Sequence, residues 1–280
     1  MNKPLRLAML CAGTVFFASQ VMAADWCKFH ADRSATVDTA GAKRIVIGTG
    51  AGDLKIRGIS GQAKLSASGR ACASSEKFLD EIQLESRREG NTVYLKTRMP
   101  DTDVALFAFN RYASLDLTIS LPNNIDIQVE DSSGDTQIKD VQAAVVADGS
   151  GDLDIGNVAG NLEVTDSSGD MQIHKVSGNL SVKDSSGDIE IEDVQGDVLI
   201  PVDSSGDIRI ARVTGGVHIV NDSSGEIVIG HVSKDVTIDS DSSGDISVDD
   251  VGGSFTVGND GSGDIHHGHV TGQVSLPPGK

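Results

Sequence analysis

DSSGDIEIEDVQGDVLIPVDSSGD, residues 184–207, opens and closes on the same five letters. Aligned on the glycine of that turn, the chain repeats at Gly134, Gly151, Gly169, Gly187, Gly206, Gly225, Gly244 and Gly263, with spacings of 17, 18, 18, 19, 19, 19 and 19 residues. A short period held through eight copies is the mark of a solenoid, in which a unit buries its apolar face only against its neighbours. Apolar residues stand two and four positions after the glycine, as in Ile189 and Ile191, and again eleven and thirteen after it, as in Val198 and Ile200. Each pair alternates with polar residues, the period of a strand with one buried face. Valine stands seven after the glycine in every copy, from Val141 to Val270. Nine after it comes a small residue, among them Gly160, Gly178, Gly196, Gly215, Gly253 and Gly272, which predicts a second corner built on positive φ. The fold class is therefore all-β: a single-stranded parallel β-helix (β-solenoid), flattened or triangular, with 17–19-residue coils stacked about 4.8 Å apart. An antiparallel sandwich explains the alternation but not one phase kept for eight copies.

The flanks divide the chain. Residues 1–23 read as an export signal: Lys3 and Arg6 precede the apolar run LAMLCAGTVFFA, and Val21-Met22-Ala23 presents small residues at cleavage spacing. No later segment has the roughly 18 apolar residues of a membrane span, so no transmembrane anchor is expected. Cys11 leaves with the signal, and its flanks fit a lipid attachment site poorly. Cys27 and Cys72 remain, an even pair that reads as a disulfide in an oxidising compartment. Closing their 45-residue separation contributes on the order of 4 kcal/mol by loop entropy. Residues 24–121 hold 12 acidic against 14 basic side chains, whereas residues 122–280 hold 29 against 7. That shift marks an N-terminal β-rich cap region over 24–121, a solenoid of DSSGD repeats over 122–276 and a tail over 277–280. A body this acidic, in a chain of formal charge −18, repels nucleic acid and anionic lipid, so no nucleic acid partner is expected and anionic lipid ranks low.

The run LDLTISLPNNIDIQVEDSSGD at 115–135, followed by GDIxIxxVxGxLxV units, resembles the bacterial β-strand-repeat "putative adhesin" family of exported or surface-associated domains. GAGDLKIRGISGQAKLSASG at 50–69 looks like an early, degenerate copy, so the resemblance covers about residues 40–276. It implies a β-solenoid and a surface partner, and it brings no catalytic residues.

Two aspartate columns run through the repeat. Three before the glycine stand Asp131, Asp148, Asp166, Asp184, Asp203, Asp222, Asp241 and Asp260; one after it stand Asp135, Asp152, Asp170, Asp188, Asp207, Asp245 and Asp264, with Glu226 the exception. Two chemistries fit. Asp and Ser accept hydrogen bonds from turn amides, which makes DSSG good corner chemistry. Alternatively, stacked carboxylates repel, and Ca²⁺ bridging neighbouring coils would reverse the sign, with Asp166, Asp170, Asp184, Asp188, Asp203, Asp207, Asp222, Asp241 and Asp245 as ligands. His231, Asp250 and His269 fall in one column six after the glycine, and His267 with His269 is the pair nearest to a transition-metal site, His267 standing where other copies carry a core residue. Phe107, Phe109 and Tyr112 form an aromatic patch suited to capping an open solenoid end or gripping a partner.

No nucleophile elbow, zinc-protease helix or phosphate loop occurs, and coils of nearly constant length leave no long loops to wall a cleft. The expectation is an exported, non-enzymatic β-solenoid, periplasmic, secreted or at the cell surface, serving adhesion, binding or envelope scaffolding toward a protein or glycan. A carbohydrate-active β-helix enzyme and a calcium-dependent structural module are the alternatives. Paired carboxylates in a recess would mark the enzyme, and flat ladders the scaffold.

Overall fold

The computed structural model describes residues 27–101 and 111–280. The signal read over residues 1–23, Cys11, Phe107 and Phe109 lie outside the described residues. Among the described residues, two sheets of twelve strands each face one another across an apolar core, making the solenoid flattened rather than triangular. In the coil that starts at Gly187, Ile189–Val194 lies in the first sheet and Val198–Val202 in the second. Its inward side chains, Ile189, Ile191, Val194, Val198 and Ile200, are at most 1 % exposed. The parallel register stacks like on like: Ile189 pairs with Ile208, Ile191 with Ile210, Val194 with Val213, and Val198 with Val217. Each added coil thus extends three aliphatic columns in the first sheet and two in the second, and burial grows linearly with coil number.

The valine seven after each glycine breaks the period of two. Alternation from Ile189 and Ile191 would turn residue 193 inward, yet Val194 is the buried one. Asp193 takes left-handed backbone and takes one residue out of the alternation, as do Asp140, Asn157, Lys175, Arg212, His231, Asp250 and His269, with φ between 47° and 62°. Six of these eight are Asp, Asn or His, the non-glycine types that tolerate that region best. This corrects the expectation placed on the glycines nine after the turn, which do not have positive φ. Their role is close approach: a Cβ on Gly196 would lie 2.5 Å from the carbonyl carbon of Gly178 in the preceding coil. The turn glycines themselves do require positive φ, from 119° to 142°.

The N-terminal region is woven into the stack. Strands β1 (Phe29–Asp38), β2 (Arg44–Gly48), β3 (Leu54–Ile59) and β4 (Lys64–Ala73) are followed by helix α1 (Glu76–Glu81). Strands β5 (Gln83–Glu89), β6 (Thr92–Arg98), β7 (Ala113–Pro122), β8 (Asp126–Glu130) and β9 (Thr136–Val141) come next. β2 pairs in parallel with both β6 and β8, and β3 with both β7 and β9. The degenerate copy is therefore a full coil lying between two coils that come later in sequence. Beyond it β4 runs antiparallel to β7 and to β1, and β5 antiparallel to β6, which ends the parallel stack with reversed strands. The Cys27–Cys72 disulfide joins the start of β1 to β4. Beneath it α1, capped by Ser75, seats Phe78 on Ala71, Ala73, Ile82 and Leu115. Tyr112 belongs to this end: its hydroxyl accepts from the Lys28 amide at 3.0 Å.

Candidate functional site

The two aspartate columns border one corner from opposite sides of the backbone. One residue after the glycine, the carboxylates face solvent, and each accepts the amide of its counterpart in the next coil. Asp152 N–H donates to Asp135, Asp170 to Asp152, Asp188 to Asp170, and Asp207 to Asp188, at 2.9–3.2 Å. Asp207 accepts from Glu226 in turn, and Asp264 N–H donates to Asp245. The Glu226 amide, with Arg209 beside it, holds the Asp207 carboxyl below its ordinary range. A second such ladder runs at the other corner, where Asn179 N–H donates to Asn161, Asp197 to Asn179, and Gly216 to Asp197. The Gly216 amide and Lys234 likewise lower the Asp197 carboxyl.

Three residues before the glycine the carboxylates point inward. Asp131, Asp148, Asp166, Asp184, Asp203, Asp222 and Asp241 are all buried. In the shorter coils each turns one oxygen onto its own following amide: Gly149 to Asp148, Ser167 to Asp166, and Ser185 to Asp184, at 2.7–2.9 Å. The nineteenth residue changes this. It lengthens the second-sheet strand from Leu180–Lys183 to Val217–Asp222, drawing the aspartate into the β ladder opposite Asp241. The following amides then go to the aspartate carbonyl of the coil before, Ser223 to Asp203 and Ser242 to Asp222. No donor meets a carboxylate oxygen of Asp203, Asp222 or Asp241 in good hydrogen-bond geometry, and the amides of Ser204, Ser205, Ser223 and Ser243 beside them lower these acids only in part. Burial, then the charge of the neighbouring aspartate, pushes Asp203 and Asp222 up to about 6 and Asp241 to about 7. Burial and the charges of Asp131 and Asp166 raise Asp148 to about 7, and burial raises Asp184 to about 6.

The bases scattered through the repeat meet acids on the outer faces. Arg212 reaches Glu192 and Asp193 at 2.6 Å each, Lys139 reaches Asp154 at 2.8 Å, and Arg209 reaches Asp207 at 2.8 Å. His231 sits on Asp250 at 2.5 Å. His269 sits on Asp249 at 2.7 Å, a hydrogen bond that raises its imidazole. His267 stands in the inward column next to Val248, as its sequence position predicts, but in the last coil it is exposed, with its ring 6.2 Å from that of Phe255 at the end of the stack. His267 and His269 are thus engaged in different places, and among the described residues no three His, Cys, Asp or Glu side chains are grouped to hold a metal ion.

The outer face of the second sheet carries the feature the sequence did not announce, a shallow groove of about 540 Å³ spanning several coils. Val145 and Leu199, 46 % and 37 % exposed, line it. Arg44, Gln128, Glu163 and the ladder residues Asn161, Asn179 and Asp197 supply its polar groups. Val145 and Leu199 lie three strands apart in one outward column, with Glu163 and Ser181 between them, so no single copy of the repeat displays both.

No helix among the described residues is long and apolar enough to cross a membrane. No curated protein matches the chain. Among solved structures, a "putative lipid binding protein" from Parabacteroides distasonis is 19 % identical over 88 % of this chain and 96 % of its own, with a TM-score of 0.46. A "putative cell adhesion protein" from Clostridium sporogenes is 14 % identical over 89 % and 100 %, with a TM-score of 0.32. A "putative adhesin" from Bacteroides fragilis is 16 % identical over 89 % and 98 %, with a TM-score of 0.33. The family model of the Toastrack DUF4097 proteins matches residues 43–199, more than half of the 280. By that match the chain belongs to the Toastrack DUF4097 family.

Proposed function

We propose that this chain is an exported, non-enzymatic binding rod of the cell envelope or cell surface, holding a protein partner along the groove of its second sheet. The observation that carries this reading is where the perturbed acids lie. Neighbouring carboxyls pushed toward neutrality are the usual mark of acid–base catalysis. Here Asp203, Asp222 and Asp241 stand at 0 % exposure inside the rod, where no substrate reaches them. Acids that do reach solvent, such as Asp207 and Asp197, are bound to backbone amides and held ionised.

Along the groove's outward column Val145 and Leu199 flank Glu163 and Ser181, and this mixture of aliphatic and polar contacts is the make-up of a protein-contact patch. None of its lining residues is aromatic, so it lacks the rings that stack on sugar faces, and a glycan partner ranks second. Export fits the Cys27–Cys72 bridge, since disulfides persist in oxidising compartments. The test is binding of the labelled, purified chain to envelope fractions and intact cells, compared with a Val145→Lys, Leu199→Lys variant. Both positions are exposed, so the fold stays intact, and binding falls at least about tenfold, the 1.4 kcal/mol that one buried aliphatic contact provides. Equal binding by the variant sinks the groove. Cleavage of a polysaccharide by the wild-type chain supports the carbohydrate-active enzyme instead.

A further inference from the structure

The interior aspartates of the longer coils require a partner that the chain itself does not provide. Asp203, Asp222 and Asp241 are 0 % exposed, no donor meets their six oxygens in good hydrogen-bond geometry, and the nearby amides of Ser204, Ser205, Ser223 and Ser243 offset only part of the burial. They are stacked in register, Asp203 opposite Asp222, Asp222 opposite Asp241, and Asp241 opposite Asp260, at the strand spacing of about 4.8 Å. The chain does place donors at both ends of the column. At the N-terminal end Asp131 accepts from the hydroxyls of Thr49 and Thr136, the latter standing in a core position where later coils carry Leu, Met or Ile. At the C-terminal end the Lys280 ammonium lies 2.7 Å from Asp260. Between those ends positive charge must come from outside.

We propose that the column Asp203, Asp222 and Asp241 holds shared protons, each acid O–H donating to the carboxylate of the adjacent coil, so that this half of the rod is a pH-sensitive element, tight when protonated and loosened when fully ionised. A metal ion fits less well. Each gap is flanked by two carboxylates, four oxygens at most, in a space closed to water, whereas calcium takes about six to eight oxygens. The flanking inward positions, Ile208, Ile227 and Ile246 on the first sheet and Ile200, Ile219 and Ile238 on the second, are apolar core residues and titrate nowhere. The charged groups in line with the column are Asp184 above it and Asp260 with Lys280 below it. On ionisation each proton leaves to solvent water, and like charges then face one another with no donor between them, which disfavours the paired strands Val217–Asp222 and Val236–Asp241. The switch is independent of what the outer groove binds.

The full chain is followed by hydrogen exchange, corrected for intrinsic rates, at pH 5 and pH 8. Protection of amides in residues 217–241 is expected to fall by at least about tenfold at pH 8, one pKa unit of linkage, while residues 153–183 change less. The Asp222→Asn, Asp241→Asn variant loses that pH dependence, because the amide keeps a donor at every pH. Should the variant not fold, infrared spectra of an Asp148→Asn, Asp184→Asn chain, which removes the other two strongly raised acids, decide: a protonated carboxylic acid band persists at pH 6 and vanishes by pH 8. Equal protection at both pH values, or no such band at pH 6, overturns the proposal. Restoration of wild-type protection at pH 8 by millimolar Ca²⁺, beyond that of Na⁺ at equal ionic strength, also overturns it and makes the column a cation site.

Discussion

Replacing Gly187 with alanine tests the close stacking of the turn column, because two separable costs meet there. The first is conformational: Gly187 has φ of 132°, a region that side chains rarely enter, at about 1–3 kcal/mol. The second is steric. A Cβ on Gly187 would lie 2.6 Å from the carbonyl carbon of Gly169, so the coils must part by roughly 1 Å to restore ordinary contact. The gap between those two coils is held at the corner by Gly169 N–H to Ser186 at 3.1 Å and Met171 N–H to Asp188 at 2.8 Å, and such a shift stretches both beyond useful length. Losing two of these adds about 1 kcal/mol each, and the sum is about 4 kcal/mol. Gly90→Ala is the control, since Gly90 has φ of 57° with nothing within 4 Å of its Cβ position, leaving a cost of about 1 kcal/mol. Urea unfolding followed by circular dichroism compares the two variants with wild type. If Gly187→Ala unfolds at the same midpoint as Gly90→Ala, coil-to-coil contact is not what demands glycine there.

Two further substitutions probe the other columns. Val194→Asp puts an unpaired carboxyl among Ile191, Val176 and Val213 and is expected to cost several kcal/mol even after its pKa adjusts, read as a lower melting temperature; a melt equal to wild type would mean Val194 does not face the core. Lys175, at φ 58° with no preference for left-handed backbone, gives the opposite sign: Lys175→Gly is expected to stabilise by about 0.5–1 kcal/mol, and Lys175→Val to destabilise by at least as much, in the same urea assay.

The core was legible because each coil repeats its neighbour: Ile189, Ile208, Ile227 and Ile246 stand in one column of the sequence and in one column of the structure. The left-handed residue before each valine was present in the same pattern as a slip from period two to Val194, but counting alternation hides a slip that recurs in every copy. Asp166 and Asp184 continue the inward phase of Leu162 and Val164, and of Leu180 and Val182, so their burial could have been read as well. Polarity argued for the surface and the phase for the core, and the phase prevailed because backbone amides satisfy one oxygen of each. The threading of β2 and β3 between later coils was not legible, since edge pairing between distant segments leaves no local signal. The groove was not legible either, because Val145 and Leu199 fall into one outward column only after four coils have stacked.

One residue per coil separates the two halves of this rod. With 18 residues, the corner after Leu180–Lys183 leaves a free amide for Asp184, and the acid is half satisfied where it stands. With 19, the strand runs on through Asp222, the amide of Ser223 joins the ladder at the Asp203 carbonyl, and the backbone gains a bond that the carboxyl loses. Backbone ladder bonds favour the longer coil, and the stack can bear the orphaned acids because each adjoins only the coils above and below. The formal charge of −18 therefore overstates the field of the rod in mildly acidic solution, where burial favours the protonated forms of Asp203 and Asp222. The negative surface that a partner meets is made instead by the outer ladder, Asp188, Asp207 and their counterparts, which the amides of the next coil keep in place.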